Sequence, residues 1–347
     1  MNDFAVIGAG HIGSEIAGYL SRRGTCVLVD PNRESLDRSS ANEKFVGTLE
    51  TNPEILSKSD VFVVALPGSV AKESVKILLK NGKKVIDVSF YEEDPFYFAQ
   101  FVDGDALYVP DCGFAPGLSN IITGHLVKNT GADNVEIYVA GLPQEPLEPF
   151  RHSITWSVEG LVDEYLRPAK IIRDGKVQEI DPLSITVKYA VNGLAELEGF
   201  YTDGLRTLLR TMEINNLKEI TLRYSGHLDR MKFLRDMGFF SGEGTCNPRG
   251  VSQSVFSRFA DSRDLCILDV LSTGRGKHKI ELRSNGTESL SSMALLTGHT
   301  AAIVAVKVSE DLEAKGFTPP EELAVDTGIL SYIFNELRKD GVRIAMS

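Results

Sequence analysis

The sequence predicts an α/β protein: a doubly wound parallel sheet of dinucleotide-binding type, followed by a second, mixed α+β domain. Three observations predict it. An apolar run, Phe4-Ala5-Val6-Ile7, breaks into a glycine-rich turn and then a helical pattern. Further short apolar runs recur through the first 110 residues at the pace of parallel βα units. From about Asn120 the pattern changes to longer alternating segments. With 347 residues the chain has length for two domains, and 42% hydrophobic with 24% charged residues is an ordinary globular composition.

The first turn is Gly8-Ala9-Gly10-His11-Ile12-Gly13, followed by a helical face of Ile16, Ala17 and Leu20 that closes at Gly24. A second strand, Cys26-Val27-Leu28-Val29, then ends at Asp30. A GxGxxG alone is a weak signal; between a strand and a helix, with an acidic residue after the next strand, it is strong. Gly8 permits the tight turn, Gly10 lets the backbone approach a pyrophosphate, and Gly13 lets helix and strand pack closely. The helix N-terminus offers free N–H groups to the phosphates, and Ile12 and His11 face them there, His11 without a catalytic task. Asp30, 17 residues after Gly13, is placed to accept the ribose hydroxyls and to repel a 2′-phosphate, so NAD is expected over NADP. Arg33, just past the strand, could instead recruit that phosphate.

Val61 to Leu66 is the next strand, ending in Pro67-Gly68, with a helix from Val70 to Leu79. Lys84 to Ser89 and Ala106 to Val109 follow as strands. The carboxyl ends of such strands line a cofactor crevice, which nominates Leu66, Pro67, Asp87 and Ser89. Asp87 could equally bond its own loop.

In the second half, Val135 to Gly141, Phe150 to Val158, Glu179 to Val187 and Glu219 to Tyr224 read as strands. Asp203 to Met212 and Leu228 to Met237 read as helices, and Leu265 to Ser272 with Lys277 to Leu282 as a hairpin. Met293 to Val308 reads as a helix that returns to the first domain. The expected division is residues 1–118 for the dinucleotide domain, 119–292 for a substrate domain and 293–347 for the C-terminal helical return.

Composition also excludes. A net charge of −11 argues against nucleic acid as the partner. No apolar run reaches the roughly 20 residues that span a bilayer, and the start of the chain has no signal-peptide pattern. Cys26, Cys112, Cys246 and Cys266 are widely spaced without a CxxC pair, so no metal site or disulfide framework is expected. A cytoplasmic protein with reduced thiols is the simple expectation.

Between the two halves lies Asp111-Cys112-Gly113-Phe114-Ala115-Pro116-Gly117-Leu118-Ser119-Asn120. It resembles the segment that follows the nucleotide domain in the saccharopine dehydrogenase-like family, and is most similar to that of the lysine 6-dehydrogenase branch. Gly141-Leu142-Pro143, Trp156 to Gly160 with Glu164-Tyr165, Thr202 to Leu208, and Thr221 to His227 carry the same resemblance in the same order, and Met293 to Thr300 adds a weaker match. Ser225 departs from it, where a proline is expected. The resemblance implies a Rossmann domain, a mixed-sheet substrate domain that forms a homodimer, and NAD-linked oxidation of a C–N bond. In that branch the ε-amine of L-lysine becomes an imine, which hydrolyses to ammonia and the 6-semialdehyde and then cyclises to piperideine-6-carboxylate.

Hydride cannot leave a carbon beside an ammonium, so the amine, with an ordinary pKa of about 10.4, must first lose a proton. Asp111 is the leading candidate to contact it, against a structural role capping the turn that follows. Cys112 is a neutral wall of the nicotinamide pocket and not a nucleophile, because hydride transfer needs none. Pro116 and Gly117 shape the loop. Arg223 offers a planar fork for the substrate carboxylate, and His227 is a second acid–base candidate; a salt bridge and a turn hydrogen bond are their plain alternatives. Trp156 walls the pocket or the core, with Ser157 and Glu159 as contacts for the amino groups, and Asp203 reads first as a helix cap and second as a substrate ligand. His125, His152, His278 and His299 carry no functional signal. Two other functions remain: a saccharopine- or carboxynorspermidine-type secondary-amine dehydrogenase, and a non-catalytic NAD-binding sensor or scaffold.

Overall fold

In the computed structural model, which describes residues 3–154, 157–242, 247–259, 263–324 and 327–347, sixteen strands form two sheets. In chain order they are β1 (Phe4–Ile7), β2 (Cys26–Asp30), β3 (Glu43–Val46), β4 (Val61–Val64), β5 (Lys84–Asp87) and β6 (Leu107–Val109). Then come β7 (Ala132–Pro143), β8 (Ala169–Arg173), β9 (Lys176–Ile180), β10 (Val187–Tyr189), β11 (Leu197–Tyr201) and β12 (Asn216–Tyr224). The last are β13 (Asp264–Gly274), β14 (Lys277–Asn285), β15 (Gly316–Phe317) and β16 (Arg343–Met346).

The chain divides into two compact units, residues 1–125 with 294–340, and residues 126–293 with 341–347. The first holds a seven-stranded sheet in the order β15-β6-β5-β4-β1-β2-β3, every pair parallel. This is the doubly wound order with one strand added at its edge. The strands are buried on both faces and so read as continuous apolar runs, which is why β1, β2 and β4 are plain in the sequence. The helix His11–Ser21 follows β1, and Gly68–Lys80 follows β4. The helix Ser292–Glu310 is long and apolar enough to cross a membrane by length and composition, but 72% of that stretch is buried within the protein. It meets the first helix at Gly298, where even a Cβ would make only ordinary contacts, 3.5 Å from Ile12 O and from Ile16 Cγ1.

The second unit holds a nine-stranded mixed sheet along the path β10-β11-β12-β7-β13-β14-β16, with the β8–β9 hairpin pairing on β12. β12 runs parallel to β7 and antiparallel to β11. Ile220, Leu222 and Tyr224 of β12 point into one apolar core with Tyr138, Ala140 and Leu142 of β7. The alternate residues Glu219, Thr221 and Arg223 point to the opposite face, and all three are buried.

Several expectations change. The described residues of Phe150 to Val158 form no strand: Ser157 caps a helix, Val158–Glu164. The expected helix from Asp203 shrinks to Leu208–Thr211, capped at Thr207, because Arg206 takes a left-handed conformation with φ 51°. Glu179 to Val187 divides into β9 and β10, since Leu183 and Ser184 bond back to Asp181 in a turn. The C-terminal return ends early, because β16 leaves the first unit and pairs with β14 of the second.

Candidate functional site

The glycine turn is built by close approach. Gly8 has φ +106°, and a Cβ on it would lie 2.4 Å from the Ala65 carbonyl oxygen and 3.0 Å from Leu66 Cδ2. A Cβ on Gly13 would sit 1.9 Å from Gly8 O. Gly10 is different. It precedes the helix without a side-chain cap, and a Cβ there would meet nothing within 4 Å. The turn is closed where strand and helix pack and open at the helix N-terminus, which fits a dinucleotide pyrophosphate. His11, exposed, and Ile12, half-buried, begin that helix.

Asp30 is bound into this turn. Its Oδ2 accepts the Ala9 N–H at 2.7 Å and its Oδ1 the Asn32 N–H at 2.7 Å. The carboxylate remains half-exposed, so it braces the glycine turn and still presents lone pairs to a ribose. Leu66 borders Gly8, and Pro67 is exposed at the start of its helix. Asp87 and Ser89 depart from expectation. Asp87 is 0% exposed and accepts from Ser89 N–H, Tyr91 Oη–H and Tyr108 Oη–H at 2.8, 2.7 and 2.9 Å. Burial pushes its carboxyl up to about 6 against those hydrogen bonds. It is the strand-end residue that bonds its own loop, and Ser89, also buried, belongs to that loop rather than to a cofactor surface.

Asp87 also anchors the next segment, since its carbonyl accepts the Cys112 N–H at 2.8 Å. Asp111 just before has φ 48°, a left-handed conformation that ordinary residues avoid and that clusters at functional sites. Its side chain is 3% exposed. Gly117, with φ +128°, lies against Gly113, where a Cβ would come within 2.1 Å of the carbonyl oxygen. Cys112 is 0% exposed, and burial beside Asp87 and Asp111 raises its thiol well above the usual range. It is an inert neutral group within the fold and lines no open wall.

In the second unit, Arg223 and His227 are parts of one buried chain of bonds. Arg223 Nη2 meets Glu164 Oε2 at 2.6 Å, its Nη1 donates to the Leu222 carbonyl at 3.0 Å, and its Nε donates to Tyr165 Oη at 3.3 Å. The fork expected to take a substrate carboxylate already holds a protein one. His227 bonds Phe150 O through Nδ1 at 2.7 Å and Tyr165 Oη through Nε2 at 2.8 Å. A carbonyl only accepts, so Nδ1 carries the proton and Nε2 accepts from the tyrosine. Burial, and then the charge of Arg223, push the ring's pKa down to about 3. Both nitrogens are occupied and the ring stays neutral, which removes His227 as the proton acceptor.

Three other substrate-contact expectations resolve locally. Ser157 is exposed and caps its helix by accepting the Gly160 N–H at 3.2 Å. Glu159 is exposed in that helix's first turn and faces Arg249 at 3.9 Å, a favourable place for an anion. Asp203 pairs with Arg167 at 3.5 Å, and the helix after it begins only at Leu208, with Thr207 at its N-cap position. Trp156, like Cys246, lies outside the described residues.

Sequence reasoning missed the buried polar row itself. Glu219, Thr221 and Arg223 alternate with apolar residues, a pattern that reads as a solvated strand face; only the cover over that face shows them to be buried. His152 and His299 were missed for the same reason. His152 is buried 5.1 Å from the His227 ring. His299, in the first unit, bridges Glu15 at 2.8 Å and Asp340 at 2.7 Å.

Comparison with known proteins bears on both halves. A family model described as the saccharopine dehydrogenase C-terminal domain matches residues 113–342. One described as NADP oxidoreductase, coenzyme F420-dependent, matches residues 3–91. The alpha-aminoadipic semialdehyde synthase of Mus musculus is 22% identical over 264 residues, covering 69% of this chain and 28% of that protein. The saccharopine dehydrogenase [NADP(+), L-glutamate-forming] of Pyricularia oryzae is 23% identical over 202 residues, covering 54% of this chain and 45% of that one. The chain thus spans less than half the length of these curated relatives. Among solved structures, apo saccharopine dehydrogenase (L-Glu forming) from Saccharomyces cerevisiae superposes with a TM-score of 0.77 at 14% identity, covering 100% of this chain and 99% of that one. That likeness is one of fold.

Proposed function

Because this chain belongs to the saccharopine dehydrogenase family, we propose that it is a nicotinamide-dependent oxidoreductase acting on the C–N bond of a lysine-derived amino acid. The observation that carries the reading is the glycine cradle of Gly8, Gly10 and Gly13, braced by Asp30, in the same chain as the family's C-terminal domain. A bound nicotinamide would supply the hydride acceptor. The cradle would hold the pyrophosphate through the N–H groups at the start of helix His11–Ser21, and Asp30 would take the ribose hydroxyls. A carboxylate there disfavours a 2′-phosphate, which supports NAD over NADP.

The substrate amine must be neutral when it is oxidised, and Asp111 is the residue we assign to its proton. Its buried carboxylate and left-handed backbone set it at the end of the parallel sheet, where such folds place their chemistry. With His227 committed to Phe150 and Tyr165, Asp111 stands as the acid–base candidate. L-lysine, deaminated at its ε-carbon, is the first substrate reading. A saccharopine-type secondary amine is the second. The Glu164–Arg223 pair favours neither, because the guanidinium already holds a protein carboxylate.

The test is a panel of L-lysine, saccharopine, ornithine and carboxynorspermidine, each with NAD+ and with NADP+, followed as reduced cofactor. Lysine turnover with ammonia release supports the first reading, and saccharopine turnover with glutamate release the second. Tight NAD binding with no turnover of any amine would leave a sensor. Asp111→Asn is expected to keep nucleotide affinity and lose turnover by about 10²-fold or more; an unchanged rate removes Asp111 from the mechanism.

A further inference from the structure

The loop that carries Asp111 is held from a distant part of the same unit. Asn120, fully buried, stands third in the helix that starts at Leu118. Its Oδ1 accepts the Gly117 N–H at 3.2 Å and the Ser119 hydroxyl at 3.2 Å, and its Nδ2 donates to Glu321 Oε2 at 3.3 Å. Gly117 lies against Gly113, whose N–H donates to the Pro116 carbonyl at 3.1 Å and whose carbonyl accepts the Leu118 N–H at 2.9 Å. Cys112, one residue back, is fixed to β5 by its bond to the Asp87 carbonyl. From Glu321 to the left-handed Asp111 the path is continuous, and every residue on it belongs to the first unit.

Glu321 is a costly side chain to place there. It is fully buried, in the short helix Pro320–Leu323, and lies 201 residues from Asn120 along the chain. Its backbone packs directly on the helix that carries Asn120: a Cβ on Gly124 would lie 2.4 Å from Glu321 O. An apolar side chain could fill the same space without the cost of burying a carboxyl. What the carboxylate adds is orientation. A side-chain amide can be turned two ways, and a carboxylate only accepts, so the NH2 of Asn120 faces Glu321 and its oxygen faces Gly117. Taking the assignment of Asp111 above as its premise, we propose that Glu321 is a positioning residue for the oxidation. Acting through Asn120 and Gly117, it sets the Asp111–Gly117 loop, and with it the carboxylate that receives the amine proton.

The test uses the full-length protein with Glu321→Met, which removes the acceptor at similar volume, and Glu321→Gln, whose amide oxygen can still accept from Asn120. Each is followed by steady-state kinetics with the amine that the substrate panel selects, by equilibrium binding of NAD, and by hydrogen–deuterium exchange of residues 111–121. Glu321→Met is expected to lower kcat about tenfold to a hundredfold, the effect of a misplacement near 1 Å, while KM for the amine and NAD affinity hold. Exchange in the segment should quicken about tenfold or more, as one buried hydrogen bond is lost. Glu321→Gln should restore both kcat and exchange. If Glu321→Met does not accumulate as folded protein, Asn120→Asp sets two carboxylates face to face and should give the same loss. Joining Asn120→Asp to Glu321→Gln reverses donor and acceptor and should recover it. Unchanged exchange in 111–121 would overturn the inference, as would a wild-type kcat, equal losses of kcat and NAD affinity, or a Glu321→Gln protein as impaired as Glu321→Met. Should the wild type oxidise no amine while exchange in the segment still depends on Glu321, the enzymatic reading fails and the clamp on the Asp111 loop stands.

Discussion

Removing the Glu164 carboxylate would strand a buried charge of the second unit. The Arg223 side chain is 3% exposed and that of Glu164 19%, and their closest atoms are 2.6 Å apart. In Glu164→Ala the guanidinium keeps Tyr165 Oη and the Leu222 carbonyl, both dipoles, and loses the anion. Breaking a buried pair from one side costs about 3–5 kcal/mol, and the partial exposure of Glu164 lets water offset some of it, so the lower end, about 3 kcal/mol, is expected. A domain of this size class, about 150–250 residues, moves its midpoint by roughly 2–4 °C per kcal/mol, which gives a fall of about 6–12 °C in scanning calorimetry. The double replacement Glu164→Leu with Arg223→Met removes both charges and should recover most of that loss, because apolar packing of similar volume does the same work without the desolvation. A fall below about 2 °C for the single change, or a double variant no better than the single one, would refute a structural ion pair and return Arg223 to the substrate as a free fork.

Two further expectations follow from the first unit. Gly10→Ala should leave the melting temperature unchanged, since its Cβ meets no protein atom, yet weaken NAD binding; Gly13→Ala should lower both, its Cβ overlapping Gly8 O at a strain of about 1–3 kcal/mol. Equilibrium titration with NAD beside thermal melts checks this, and a Gly10→Ala protein with wild-type affinity would show that the pyrophosphate does not lie there. His299 provides the pH dependence. Burial opposes its charge, but the hydrogen bonds it donates to Asp340 and Glu15 outweigh burial and raise its pKa above the ordinary 6.5. Its contribution is therefore full below that value and is lost as pH rises through the folded pKa. Denaturant titrations should find His299→Gln less stable than wild type by on the order of 1–3 kcal/mol at pH 6, with the gap narrowing by pH 9; a gap that widens with pH would reverse the assignment.

The first unit was legible because its signals are local. A glycine whose Cβ would strike a neighbouring carbonyl must be glycine, and the strands that surround it are continuous apolar runs because both faces of a parallel sheet are covered. Asp30 was legible for its position, though its bond to Ala9, 21 residues away, adds a bracing role that spacing does not show. Ser157 was hard to read because a polar residue beside a helix can cap it, pair with an arginine or face a ligand, and local sequence does not distinguish these.

By itself, then, the sequence determined the nucleotide cradle, the parallel sheet and the family, since each rests on backbone geometry and short-range pattern. Only the tertiary structure decided which polar residues are already spoken for. Arg223 finds Glu164 across 59 residues and His227 finds Tyr165 across 62; Asp87 turns inward to two tyrosines, while Glu219 Oε2 is buried without a hydrogen-bond partner among the described residues. The reason is physical. The energy of a charge depends on whether water or a partner surrounds it, and both are set by what the fold lays over the strand, which the residues along that strand do not encode.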